Sequence, residues 1–124
     1  MEWRFNSSAP IYAQLVDQLT LRIVTGIYAP GQRVPAVREL ALEAGVNPNT
    51  MQRALGELER LGLVYAQRTS GRFVTVDTSL IDDAKRSLAE AQIYTFLGAM
   101  DELGYGEDEI LAMLREARMK EERR

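Results

Sequence analysis

Apolar positions step through this chain in strides of three and four residues, broken by glycine and proline. Ile11, Leu15, Leu19 and Ile23 recur every fourth residue and mark one face of a helix that Gly26 ends. Val37, Leu40, Ala41 and Ala44 line a second, shorter helix, opened by Pro35 and Ala36 and closed by Gly45. Asn47 is then a favoured N-cap, and Pro48 fits a first helical position where its missing N–H is no loss, so a third helix starts almost at once. Met51, Ala54, Leu55, Leu58 and Leu61 form its inward stripe.

The period then changes. Leu63 to Gln67 and Arg72 to Val76 are rich in β-formers and flank Arg68-Thr69-Ser70-Gly71, which predicts a hairpin. Earlier, Pro30-Gly31 suits the centre of a type II turn, leaving Gln32-Arg33-Val34 as a very short strand. Beyond Asp77 the helical stride returns. Ser79, with Asp82 three residues on, predicts a cap, and an apolar band runs from Leu80 through Ala84, Leu88, Ala91, Phe96, Leu97 and Met100 to Leu103 before Gly104 and Gly106 stop it. Glu107, Asp108 and Glu109 open a last helix whose inner face is Ile110, Leu111 and Leu114. Its end, Arg115 to Arg124, is highly charged and expected to fray.

This pattern predicts a mainly α fold with a small β-hairpin wing, a winged helix-turn-helix over residues 1–76, followed by a two-helix tail over residues 77–124. Two helices cannot enclose a core alone. They either fold back on the preceding domain or pair with a second copy, and pairing is favoured because two such hairpins complete a four-helix arrangement. The dimer interface expected on this reading is Leu80, Ala84, Leu88, Phe96, Leu97, Met100 and Leu103.

Composition narrows the chemistry. The chain has no His and no Cys, which removes the usual general base, the nucleophilic dyads and most transition-metal sites, so neither an enzyme nor a metal or cofactor is expected. No stretch approaches the length of a membrane span and Met1 to Pro10 lacks a signal-peptide core, so a cytoplasmic protein is expected. Net charge is −3, but unevenly placed: Gln32 to Val76 holds six basic and four acidic residues, whereas Asp77 onward holds seven basic and twelve acidic.

The winged segment therefore carries the candidate site. Two short helices across a tight turn are how a chain presents a helix to the DNA major groove. The leading edge of the third helix offers Asn49, Thr50, Gln52 and Arg53, whose donors and acceptors can read base edges or phosphates. Arg68, Ser70 and Arg72 at the hairpin, with Arg33 before it, could reach the backbone or a minor groove. The plainer alternatives are a solvated helix face and a solubilising hairpin tip. A winged helix can also serve as a protein-interaction adaptor without sequence-specific DNA binding, which the acidic tail favours and the polar leading edge disfavours.

Several ordered motifs carry a family resemblance: Pro10-Ile11-Tyr12-Ala13-Gln14-Leu15, Gly26 followed by Pro30-Gly31, Pro35-Ala36-Val37-Arg38-Glu39-Leu40-Ala41, Gly45-Val46-Asn47-Pro48-Asn49-Thr50, and Leu58-Glu59-Arg60-Leu61-Gly62-Leu63. The segment from Pro10 to Val76 resembles the winged helix-turn-helix of the GntR family of bacterial transcription regulators. That resemblance implies DNA contacts at Arg38, Asn47, Asn49, Thr50, Gln52 and around Arg68. Pro48 stands where many members have a basic residue, and Thr69 where the wing usually has its first glycine. The short tail resembles the YtrA-like subfamily, which implies a homodimeric repressor on an inverted-repeat operator of double-stranded DNA, near transporter genes. An effector, if the chain has one, would sit at the dimer interface, with Tyr94, Phe96 and Tyr105 as aromatic candidates and core packing as their alternative role.

Overall fold

The computed structural model describes residues 1–123; Arg124, the end of the charged run and of the expected tail domain, lies outside them. The order of elements is α1 (Ile11–Val24), α2 (Val37–Ala44), α3 (Pro48–Arg60), β1 (Val64–Gln67), β2 (Gly71–Val74), α4 (Thr78–Glu102) and α5 (Glu107–Glu122). Two compact units result, Met1–Leu88 and Ala89–Arg124, with the division inside α4.

In the first unit, α3 packs against α1, α2 and β1. Leu15, Leu19 and Ile23 of α1, Leu40 and Ala41 of α2, and Met51, Ala54, Leu55 and Leu58 of α3 meet in one core, closed below by Leu63, Val64 and Val74. The expected stripes are therefore the ones turned inward, with Val37 and Ala44 only partly buried and Ile11 and Leu61, at the helix ends, exposed. The helix-turn-helix corner depends on Gly45, at φ 69°, a left-handed conformation that costs an L side chain. There the Val46 N–H donates to Ala41 O at 3.0 Å, ending α2 in a Schellman turn.

Three expectations shift. The first turn of α2 begins at Val37, with Ala36 as its extended cap residue, because a residue before the helix must keep β geometry. The strand expected at Gln32 to Val34 is reduced to one bridge, Arg33 with Phe73. The type II turn, closed by Gln32 N–H on Ala29 O at 2.9 Å, precedes it at once, and Pro35, lacking an N–H, follows. Thirdly, the cap of α4 is Asp77, not Ser79: Asp77 Oδ1 accepts from the Ser79 N–H at 3.0 Å and from Ser79 Oγ at 2.6 Å.

The Ser79 hydroxyl, with the backbone N–H groups of Ser79 and Leu80 adding to it, holds the Asp77 carboxyl below its ordinary range. A carboxyl of lowered folded pKa stabilises fully above its unfolded value of about 3.9 and loses that contribution as pH falls through the folded value. Asp77→Ala is thus expected to lower the urea midpoint at neutral pH, with the deficit shrinking below about pH 3. A deficit of constant size across that range would show that the carboxylate is not the cap.

An N-terminal arm was not foreseen. Gln18 exchanges hydrogen bonds with the Arg4 backbone, accepting from its N–H at 3.1 Å and donating to its carbonyl at 2.6 Å, and Gln14 does the same with Asn6 at 3.0 and 2.8 Å. The Trp3 ring covers the Arg22 guanidinium at 3.6 Å. Arg22 is only 3% exposed and donates to the carbonyls of Gln18 and Met1, so each buried N–H that it brings inside meets an acceptor.

The start of α4 belongs to the first unit, where Ile81 joins the core and Ala84 packs against it. In the second unit Gly104 (φ 87°) ends α4, and Glu109 Oε1 accepts from the Gly106 N–H at 3.3 Å to begin α5. The charged end that was expected to fray is helical through Glu122. Met100 and Ile110 are buried, while Ile93, Phe96, Leu97, Leu111 and Leu114 leave an open apolar groove of about 590 Å³ beside them.

Candidate nucleic-acid interface

The first turn of α3 is fixed from both sides. Asn47 Oδ1 accepts from the Asn49 N–H at 2.8 Å, and Pro48 presets the backbone, so the side chains that follow leave the helix in set directions. Asn49, Gln52 and Arg53 are exposed on one stripe, with Thr50 half-buried at its edge. Gly56, with open space where a Cβ would stand, leaves the backbone bare on the same stripe. Asn47 is also exposed, but its side-chain oxygen serves the cap.

Arg38 stands exposed in the first turn of α2. Among the described residues, neither Arg38 nor Arg68 is held by a protein partner. Both are therefore available to phosphates.

The wing is a two-stranded antiparallel hairpin in which Val64 pairs Val74, Tyr65 pairs Phe73 and Gln67 pairs Gly71. Tyr65 and Phe73 stack at 5.8 Å and stiffen it. Arg68, Thr69 and Ser70 form the tip, all exposed. The turn closes without a first glycine because the Ser70 N–H reaches Gln67 O at 3.2 Å and Gly71, at φ 98°, takes the left-handed position.

Two arginines expected at DNA also make contacts within the protein, Arg33 while staying exposed and Arg72 in a half-buried position. Arg33 Nε donates to Ser70 O at 2.9 Å, and a Cβ at residue 71 would come within 3.0 Å of that nitrogen, so Gly71 makes room for the guanidinium under the wing tip. Arg72 pairs with Glu59 of α3 at 2.5 Å, the two side chains being only 19% and 34% exposed. The second contact joins the wing to α3, and the first ties the wing tip to the segment before α2. Arg60, likewise, is paired with Glu57, whose carboxyl that bond holds below its ordinary range. The acids of α3 thus neutralise Arg60 and Arg72, and the remaining positive charge concentrates at Arg33, Arg38, Arg53 and Arg68.

Among the residues expected at a dimer interface, Phe96 and Leu97 line the tail groove, Met100 is buried, and Leu103 and Leu80 are exposed. Ala84 packs on the winged core, and Leu88 is half-buried. Of the effector candidates, Phe96 is in the groove and Tyr94 is 72% exposed. Among the described residues, no helix is long and apolar enough to cross a membrane.

Residues 11–74 match the family model described as bacterial regulatory proteins, gntR family. The chain is 40% identical over 111 residues to the HTH-type transcriptional regulator YhcF of Bacillus subtilis, covering 90% of this chain and 92% of that one. It is 38% identical to the HTH-type transcriptional repressor YtrA of Bacillus subtilis, over 70% of this chain and 62% of that one. Among solved structures, a GntR family transcriptional regulator from Listeria monocytogenes superimposes with a TM-score of 0.83 at 37% identity, over 90% of this chain and 98% of that chain. The DNA-binding domain of AraR, solved in complex with an operator, superimposes with a TM-score of 0.55 at 31% identity, over 60% of this chain and 96% of that domain.

Proposed function

Because this chain belongs to the gntR family of bacterial regulatory proteins, and is a DNA-binding transcription regulator, we propose that it acts as a homodimeric cytoplasmic repressor reading an inverted-repeat operator. The observation that carries the reading is the capped start of α3, which leaves Asn49, Gln52 and Arg53 exposed on one stripe, with Arg38 and Arg68 also exposed. Asn49, Thr50 and Gln52 read base edges, Arg53 lies beside them, and Arg38, Arg68, Ser70 and the Asn47 side-chain amide contact the backbone. Arg33 and Arg72 act at one remove, by holding the wing. The relatives it matches are named transcription regulators, and the lack of His and Cys removes the usual proton-moving and nucleophilic side chains.

Two copies are needed because one supplies few cations, and few phosphate contacts give weak binding. The apolar tail groove is the surface for the second copy, and Phe96, Leu97, Leu111 and Leu114, which line it, are side chains that water would otherwise meet. That YtrA is named a repressor, and that the AraR domain was captured on an operator, support this reading.

Substitution separates base reading from backbone clamping. Arg38→Ala is expected to weaken binding to every duplex and to reduce the salt slope by about one, whereas Gln52→Ala is expected to cost about 1–3 kcal/mol at one base position only. Both are read from promoter binding across a salt series. If neither changes binding while the fold is intact, α3 is not the reading helix.

A further inference from the structure

Arg53 is exposed on the outer stripe of α3, yet it is not loose: its guanidinium carbon lies 4.0 Å from the centroid of the Tyr12 ring. Tyr12 stands in the first turn of α1, half-buried, with part of its ring packed against the core, so the ring is itself fixed. Arg60, two turns along the same face of α3, is instead neutralised by Glu57 at 2.5 Å. Arg53 has no such carboxylate. The contact with Tyr12 is what orders it.

We infer that Tyr12 is a positioning residue for DNA binding, its ring face holding the Arg53 guanidinium in the orientation in which α3 presents it to the duplex. The inference rests on the reading of α3 as the DNA-contacting helix. An arginine has several rotatable bonds, and freezing them on association opposes binding; a ring that holds the group beforehand removes part of that cost. A guanidinium over an aromatic face is attracted by the ring quadrupole, and the attraction needs the ring, not the hydroxyl. Tyr12 thereby brings α1 into the site without touching the duplex.

The test uses the full chain and a duplex selected by it from a random-sequence library. Tyr12→Leu is expected to weaken binding about two- to fivefold, the range of an exposed cation–π contact, with Tyr12→Phe remaining within about twofold of the parent. In an Arg53→Ala background, Tyr12→Leu should produce no further loss. A packing defect would weaken binding in both backgrounds, so equal losses overturn the inference. Equal losses from Tyr12→Phe and Tyr12→Leu overturn it as well, since they place the hydroxyl on DNA. If Arg53→Ala binds like the parent while Gln52→Ala does not, the reading of α3 stands and the role of Tyr12 falls. Enrichment of no duplex overturns both.

Discussion

Cut after Leu88, the chain is expected to fold, to sediment as a monomer, and to bind an inverted-repeat operator about 10²- to 10⁴-fold more weakly than the full chain. The reason is linkage. Once one winged unit of a dimer is seated, the other is held near its own half-site at a high effective concentration, and two recognition helices about 34 Å apart can engage successive turns of one face. Removing residues 89–124 deletes the apolar groove of Phe96, Leu97, Ile110 and Leu114 and with it the proposed connection between copies. The place of the cut matters, because Ile81 is part of the winged core and Ala84 leans on it. A chain ended at Asp77 loses both and is expected to unfold at lower urea. Sedimentation and operator titration of the Leu88 truncation check this: a persistent dimer would locate the interface in the winged unit.

Leu55→Ala is expected to remove about 2–5 kcal/mol of stability, a large share of the 5–15 kcal/mol typical of a domain. Leu55 is fully buried in the core that α3 shares with α1 and α2, where nothing but other apolar side chains can fill the space left behind. Since the helix that Leu55 anchors is the one presenting Gln52 and Arg53, operator binding should fall with the folded population. Gln52→Ala gives the contrast, with binding weakened at one base position and the urea midpoint kept. A Leu55→Ala protein with less than about 1 kcal/mol of destabilisation would show that the site collapses to fill the cavity.

Much of the architecture is legible without a structure because it is decided locally. The Asn47 cap, Pro48 behind it and the left-handed Gly45 act within one helical turn, and each does in space what its type and spacing predict. The inward stripes of α1, α2 and α3 follow from a single periodicity. The cap of α4 shows the limit of such reading: Asp77 and Ser79 are both good caps, and only the hydrogen bonds at 3.0 and 2.6 Å from Ser79 to Asp77 choose between them. The very short strand expected at Gln32 to Val34 is present as a single bridge of Arg33 with Phe73, and its pairing with β2 is something only the closed fold could supply.

The arginines of the winged segment divide in a way their positions along the chain do not disclose. Arg33 donates to Ser70, 37 residues away, yet stays exposed like Arg38 and Arg68, while Arg72 is half-buried and paired with Glu59, 13 residues away. The Gln14 and Gln18 contacts to the arm, Trp3 over Arg22, and Tyr12 under Arg53 likewise join residues that no local rule connects. By itself the sequence determined which face α1, α2 and α3 turn inward, how α3 is capped and which family the chain belongs to, because capping, chirality and hydrophobic period act over a few neighbouring residues. Only the tertiary structure decided which arginines are paired with carboxylates and which brace the wing. Pairing between side chains depends on a separation in space that is set when the whole core closes.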